Sequence, residues 1–352
     1  MRRIALALVL WLGCTVLAYG QQAQVPVVGW LNPYTKQTVP IQLLRDSLAK
    51  HGLIDGKSVR LDIRLAEDKL DRLPALAKEL VREGATVILA SGEAAARAAQ
   101  QVTKTLPIVA GGDDLVGSGL VSSLAKPGGN ITGVSILSTE LDAKRVEVLK
   151  ELLPRTKHFG VLNDPEVSGP ERLRTLTDTA RRLDVALQII DVRRPDDLEG
   201  AFRALQTAGV DGVNILSSAM LFGLRPRLGE LSLACKVPAI CQSREMAETG
   251  CLASYGIAFA DFYALYADQI AKILKGANPA DVPVIQPSRF EFVINLKTAK
   301  ALGLIVSPSL LANKPIDVGC WHELTVRCTA AGLSAVTGTS AVRRLSTGPS
   351  LV

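Results

Sequence analysis

Six short polar runs, each directly behind an apolar stretch of strand-like composition, hold the residues that could do chemistry. They are Asn32-Pro33-Tyr34-Thr35, Ser91-Gly92-Glu93-Ala94, Gly111-Gly112-Asp113-Asp114, Asn163-Asp164-Pro165, Ser217-Ser218-Ala219 and Gln242-Ser243-Arg244. The second run is the most informative. A serine hydroxyl, a glycine that lets backbone come close and the free N–H groups of a helix start together make an anion site. Ser91, Gly92, Glu93 and Ala94 could therefore hold a ligand carboxylate without a lysine or arginine. Ser91 also reads as a simple helix cap. Asp113 and Asp114 could accept from a ligand ammonium, or form a solvated turn. Asn163 and Asp164 before Pro165 read as a turn first and a ligand contact second. Ser217 and Ser218 supply hydroxyls, and Arg244 could pair with a ligand carboxylate or with Glu245 or Glu248. Tyr34 and Tyr255 could stack on a flat ligand, and Asn32 completes the polar set.

Signatures of catalysis are missing. Gly117-Ser118-Gly119 lacks the third glycine or alanine of a dinucleotide fingerprint. No phosphate-binding loop, serine elbow or His-Glu-x-x-His occurs, and the three histidines, His51, His158 and His322, are scattered. The expectation is binding rather than catalysis, with neither cofactor nor metal.

Those runs need elements to position them. From Val25 onward, short β-rich segments alternate with segments of helical period. Val25–Leu31, Val59–Leu65, Thr86–Ala90, Pro107–Ala110 and Ile131–Val134 read as strands, with helices at Val39–His51, Leu70–Glu83 and Ala94–Val102. After a helix at Leu141–Leu153, a second series has strands at Phe159–Leu162, Leu187–Val192, Gly212–Leu216 and Pro238–Cys241. Its helices lie near Glu171–Leu183, Leu198–Ala208 and Leu224–Ala234, and a long helix follows at Phe262–Lys275. Two successive β-α-β-α series imply an α/β protein of two doubly wound parallel-sheet lobes joined by a hinge. Ligands in such sheets bind beyond the carboxyl ends of the strands, where the six polar runs fall.

Composition agrees with a folded chain of about two domains: 352 residues, 48% hydrophobic and 21% charged. The net charge of +6 is spread in runs no longer than a basic pair, and aromatics are 4%, which argues against nucleic acid as partner. Met1-Arg2-Arg3, an apolar run from Ile4 to Ala18 and a small-residue end make residues 1–20 a secretory signal peptide, cleaved after Gly20. The run is too short to span a bilayer. A lipoprotein modified at Cys14 is the alternative, disfavoured because Trp11 stands where that motif has a small aliphatic residue. Among the other cysteines a Cys241–Cys251 disulfide is conceivable, and buried thiols are the preferred reading. Residues 313–352, rich in Ala, Thr, Ser and Gly, read as a weakly ordered or disordered tail.

Several blocks carry a resemblance. Val25-Pro26-Val27-Val28-Gly29-Trp30-Leu31, Asp71-Arg72-Leu73-Pro74-Ala75-Leu76-Ala77 and the run from Gly119 to Gly133 containing Pro127-Gly128-Gly129-Asn130 are three of them. Ser254-Tyr255-Gly256, the stretch Ile273–Val284 and Asn295-Leu296-Lys297-Thr298-Ala299-Lys300 continue it. Over about residues 25–312 the chain resembles the tryptophan/tyrosine-type group of ABC-transporter substrate-binding proteins. The resemblance implies a type I periplasmic-binding fold that hands a small molecule to an ABC permease. Its first lobe would take residues 21–135 with about 258–280, and its second 136–257 with about 281–312. It also implies a carboxylate at Ser91–Ala94 and an ammonium at Asp113. The chain departs from the family pattern at Glu93, where a threonine is usual, at Asp114, where a proline is usual, and after Asn313, where Lys314–Val352 replaces an acidic ending. The expectation is an exported, monomeric solute-binding protein for an amino-acid-like or aromatic ligand. A sensor module for a membrane receptor and a small-molecule-modifying α/β enzyme are the alternatives.

Overall fold

In the computed structural model, which describes residues 25–35, 40–307, 310 and 324–329, five strands form a first, all-parallel sheet. β1 (Val27–Asn32), β2 (Arg60–Leu65), β3 (Val87–Ser91), β4 (Ile108–Gly112) and β5 (Ile131–Ser135) lie in the order β2-β1-β3-β4-β5. Every residue of β1, β3, β4 and β5 is buried, as expected of strands covered on both faces. Side chains alternate between two cores. Val28, Trp30, Val87, Leu89 and Val109 face one, and Leu31, Ile88, Ala90, Ile108 and Ala110 face the other. Helices α1 (Ile41–Ala49), α2 (Leu73–Arg82) and α3 (Glu93–Val102) cover the sheet, each burying its apolar stripe.

The chain then crosses to a second sheet through α4 (Ser138–Leu152). Its strands are β6 (His158–Asn163), β7 (Ala186–Asp191), β8 (Gly212–Ile215), β9 (Ala239–Cys241), β10 (Ala253–Gly256), β11 (Phe290–Asn295) and β12 (Leu324–Thr329), in the order β12-β11-β10-β9-β8-β6-β7. All pairs are parallel except β10 with β11. Helices α5 (Pro170–Arg182), α6 (Leu198–Thr207), α7 (Ala219–Gly223), α8 (Arg225–Ala234) and α9 (Arg244–Glu248) lie between these strands in the chain. The long α10 (Phe259–Leu274) returns to the first sheet, where Tyr263, Tyr266 and Ile270 join the core of Trp30. α11 (Leu296–Ala301) follows β11. Three segments thus pass between the lobes: Ile136–Ser138, Ile257–Ala258 and Ile285–Arg289. Leu137 in the first has a left-handed backbone with φ 63°, which costs a non-glycine residue about 1–2 kcal/mol.

The two parallel-sheet lobes agree with the sequence reading, and the elements named there recur within a few residues of their expected ends. Residues 1–20, with Cys14 and the cleavage point, lie outside the described residues. Leu324–Thr329 corrects the expectation for the tail: it pairs in parallel along the whole of β11. The rest of 313–352 lies outside the described residues. Cys241 and Cys251 are buried free thiols, Cys241 lying 3.1 Å from the Ala253 carbonyl oxygen.

Glycine is required at Gly133 in β5, where φ is +150° and a Cβ would stand 1.8 Å from the Ala110 carbonyl oxygen of β4. Gly133→Ala is expected to cost about 3 kcal/mol or more in urea unfolding. Gly169→Ala, with φ −73° and nothing near its Cβ position, is expected to stay within about 0.5 kcal/mol of the parent chain. Equal losses at the two positions would contradict the tight approach of β4 and β5.

Candidate functional site

A doubly wound sheet opens a crevice where its strand order reverses, because the connections on either side run to opposite faces. In the first sheet that point lies between β1 and β3, and in the second between β6 and β8. The loops there are Asn32–Thr35 with Ser91–Ala94, and Asn163–Pro165 with Leu216–Ser218. Beside these loops the side chains of the two lobes meet. Asp113, behind β4, bonds Arg172 on α5 at 3.1 Å, and Tyr34 of the first lobe feels the charge of Asp164 of the second.

In the first lobe the two switch-point loops are tied through Ser91. Its hydroxyl oxygen accepts from Trp30 Nε1 at 2.8 Å and from Asn32 Nδ2 at 3.3 Å, which leaves its own proton to donate. Ser91 ends β3 and does not cap α3, a correction to the cap reading. The cap position is Gly92, at φ +86° and without a side-chain capping bond. The first amides of α3 therefore have no side-chain acceptor. Tyr34 sits beside them: its hydroxyl is 3.8 Å from where a Cβ on Gly92 would stand, and its N–H donates to Asn32 Oδ1. Burial, then the carboxylates of Asp113, Asp68 and Asp164, push the Tyr34 hydroxyl far above its ordinary range, so it stays protonated.

Glu93 turns toward the β4 loop. Its Oε1 accepts from the Asp114 N–H at 3.2 Å, and its Cγ would lie 2.9 Å from a Cβ on Gly112. Burial raises its carboxyl above the usual range; the Asp114 N–H opposes this and nearby Asp113 adds to it. Burial also raises Asp113, against the pull of the Arg172 guanidinium and the Ser138 hydroxyl, which donates to it at 2.5 Å.

Behind Asp113 lies a buried ionic chain. Arg172 contacts Asp142, Asp113 and the Ser217 carbonyl oxygen, the last at 2.8 Å. Arg145 contacts Asp142, donates to Ser217 Oγ at 2.7 Å and donates to the Tyr255 carbonyl oxygen at 2.7 Å. The side chains of Asp142, Arg145 and Arg172 are 1%, 0% and 4% exposed. Charges this deep persist only when paired and hydrogen-bonded.

The remaining sequence candidates divide. Asp164 Oδ2 accepts from the Ser218 hydroxyl, and Ser218 caps α7 through Leu221 N. Asn163 donates to Asp191 and keeps a buried Oδ1 with no protein partner. Asp114 closes its own turn, its Oδ1 accepting from the N–H groups of Val116 and Gly117. Arg244 is matched by Glu291 on β11, with Glu248 at 3.6 Å, which leaves no open charge for a ligand. Tyr255 is a core residue stacked on Phe290; burial raises its hydroxyl to about 12. Sequence reading missed Arg172, Asp142, Arg145 and Ser138. All four sit on helices, where charged residues read as a solvated face. Among the described residues, no group of three His, Cys, Asp or Glu could hold a metal, and no helix is long and apolar enough to cross a membrane.

The chain is similar to known proteins in sequence and in fold. A family described as ABC transporter substrate binding protein matches residues 38–316. A tyrosine-binding protein of Clostridioides difficile is 27% identical over 261 residues, covering 73% of this chain and 74% of its own. The structure of an ABC domain from Streptococcus pneumoniae in complex with L-Trp has TM-score 0.73 and 26% identity, covering 82% of this chain and 98% of that one. A conserved domain protein from Vibrio cholerae has TM-score 0.76 and 26% identity, over 83% and 99%.

The raised carboxyl of Glu93 has a consequence for stability. A group whose pKa is higher folded than unfolded contributes fully below its unfolded value, about 4.3, and that contribution is lost as pH rises through the folded value. Glu93→Gln removes the titration while keeping an acceptor for the Asp114 N–H. The Tm difference, variant minus parent, is expected to be more positive at about pH 7 than at about pH 4 in calorimetry. A difference that shrinks on going to neutral pH would contradict the buried-carboxyl account.

Proposed function

Because the chain belongs to the ABC transporter substrate-binding protein family, we propose that it captures an aromatic amino acid between its two lobes and presents the closed form to an ABC permease. The observation that carries this reading is the pairing of opposite receptors on adjacent loops. A free Ser91 proton and the uncapped amides of α3 suit a carboxylate, while Asp113 on the next strand's loop suits an ammonium. Tyr34 would lie along the ring, with Asn32 holding its loop. Asn163, Asp164 and Ser217 would line the second lobe.

The named ligands of the relatives, tyrosine and L-Trp, support the same chemistry. Closure follows if the ligand touches both lobes, since only a difference in contacts between open and closed forms can shift the equilibrium. The bodies that move would be 21–135 with about 258–280 and 136–257 with about 281–312. Export through a signal peptide cleaved after Gly20 would place the protein in the periplasm, as a monomer that binds without turnover. Glu93, turned onto the Asp114 amide, leaves the helix start accessible while keeping a negative charge near it.

Isothermal titration of the purified protein, unfolded and refolded to empty the site, tests the reading. L-Tyrosine or L-tryptophan is expected to bind, L-alanine weakly, and free sugars not at all. Ser91→Ala is expected to weaken the aromatic amino acid about tenfold, the ~1.4 kcal/mol of one hydrogen bond. Sugar binding with no response to either aromatic amino acid would sink the proposal.

A further inference from the structure

We propose that Arg172 is a built-in stand-in for the ligand's ammonium, an internal cation that lets the empty cleft close and so sets the affinity and cation selectivity of the site. This rests on the amino-acid reading of Asp113.

Asp113 lies at the edge of the cleft, its side chain still 34% exposed with the lobes in contact, and its carboxylate is the one that meets a cation from the opposite lobe. Arg172 is that cation, bonding Asp113 Oδ2 at 3.1 Å with a side chain only 4% exposed. Ser138, at the start of the connecting helix α4, donates to the other carboxylate oxygen. The backbone of the crossing segment is clasped to the same loop, with Ile136 N–H on the Gly112 oxygen at 2.8 Å and Leu137 N–H on the Asp113 oxygen at 3.1 Å. Asp113 is thus the point where the first lobe, the hinge and the second lobe meet.

Two simpler roles fit less well. Arg172 is poorly placed as a receptor for a ligand carboxylate: its Nε, Nη1 and Nη2 already serve Asp142, Asp113 and the Ser217 oxygen. A guanidinium has five N–H groups, and most of these are committed. Nor is it the sole partner of Asp142, which Arg145 also holds. What Arg172 adds is the contact that crosses the cleft. An incoming ammonium must compete with it for Asp113, and a protein held closed when empty binds only through its open fraction.

Small-angle scattering and calorimetric titration of the parent protein, Arg172→Gln and Arg172→Lys decide the matter. Ligand-free parent protein is expected to be as compact as its complex with L-tryptophan or L-tyrosine. Ligand-free Arg172→Gln is expected to expand, to contract on binding, and to bind about tenfold tighter, as removal of a ~90% closed empty state requires. Arg172→Lys keeps the charge without the fork and is expected to fall between; it carries the test if the glutamine variant does not fold. A ligand-free Arg172→Gln as compact as the parent would overturn the proposal. So would weaker binding by that variant, which would make Arg172 a direct contact of the ligand. Absence of binding by the parent and the variants alike would sink the amino-acid reading and the stand-in role with it. A failed scattering result with binding intact sinks the stand-in role alone.

Discussion

Asp142 is a carboxylate with almost no contact with solvent, held between the guanidinium groups of Arg145 and Arg172, and the arrangement of the cleft depends on it. An unpaired charge at that depth would be strongly destabilising, so the three side chains stand or fall together. Through them α4, α5, the loop behind β8 and the carbonyl of Tyr255 on β10 are held in one geometry. Ser217 N–H and Asn214 Nδ2 add bonds to the carboxylate and backbone oxygen of Asp142. The second lobe thereby presents Arg172 to the first as a fixed group rather than a mobile surface side chain.

The first lobe answers with a different device. Its crevice is built from backbone and small polar groups: the uncapped start of α3, a serine hydroxyl oriented by Trp30 and Asn32, and a tyrosine kept protonated by its surroundings. Trp30 is itself fixed edge-on against Tyr263 of α10, so the helix that returns from the second lobe stiffens the wall of the site. Such a wall can recognise a carboxylate without a counter-charge, because aligned amides and a helix start already favour negative charge. Of the acidic groups nearby, Glu93 is raised by burial with no cation bonded to it among the described residues, whereas Asp113, raised in the same way, already has the Arg172 guanidinium beside it.

Much of the scaffold was legible from the amino acids. Up to their polar last residues Asn32 and Ser91, β1 and β3 are apolar, as β4 is, because parallel strands are covered on both faces, and helices such as α2 show a clear stripe because only one face is buried. Short elements escaped notice. Ala253–Gly256 contains a serine and a glycine and has only four residues, and Phe290–Asn295 pairs antiparallel to the strand beside it, a direction no local pattern encodes. Leu324–Thr329 alternates apolar and polar residues over a single strand length, within surroundings whose composition suggests little order. Of the candidate site, Ser91, Gly92, Asp113 and Tyr34 could be named from the sequence because loops behind apolar strands are where the topology rule looks. Arg244 satisfied the same rule, and Tyr255 stood out for its flat ring alone. Their partners, Glu291 and Phe290, come from β11, some 35 or more residues farther along the chain, and local spacing could not reveal them.

By itself the sequence determined the alternation of strand and helix, the two series and the loops at the carboxyl ends of the strands, because hydrophobic periodicity and turn residues act over short distances. Only the tertiary structure decided which charges are solvated and which are buried. Asp142 and Arg145 look like any helical i,i+3 pair, as Glu171 and Arg174 do, yet the first pair is sealed inside and the second lies in water. That difference comes from what packs above a helix, and the dielectric around a charge is a property of the whole fold rather than of its neighbours in the chain.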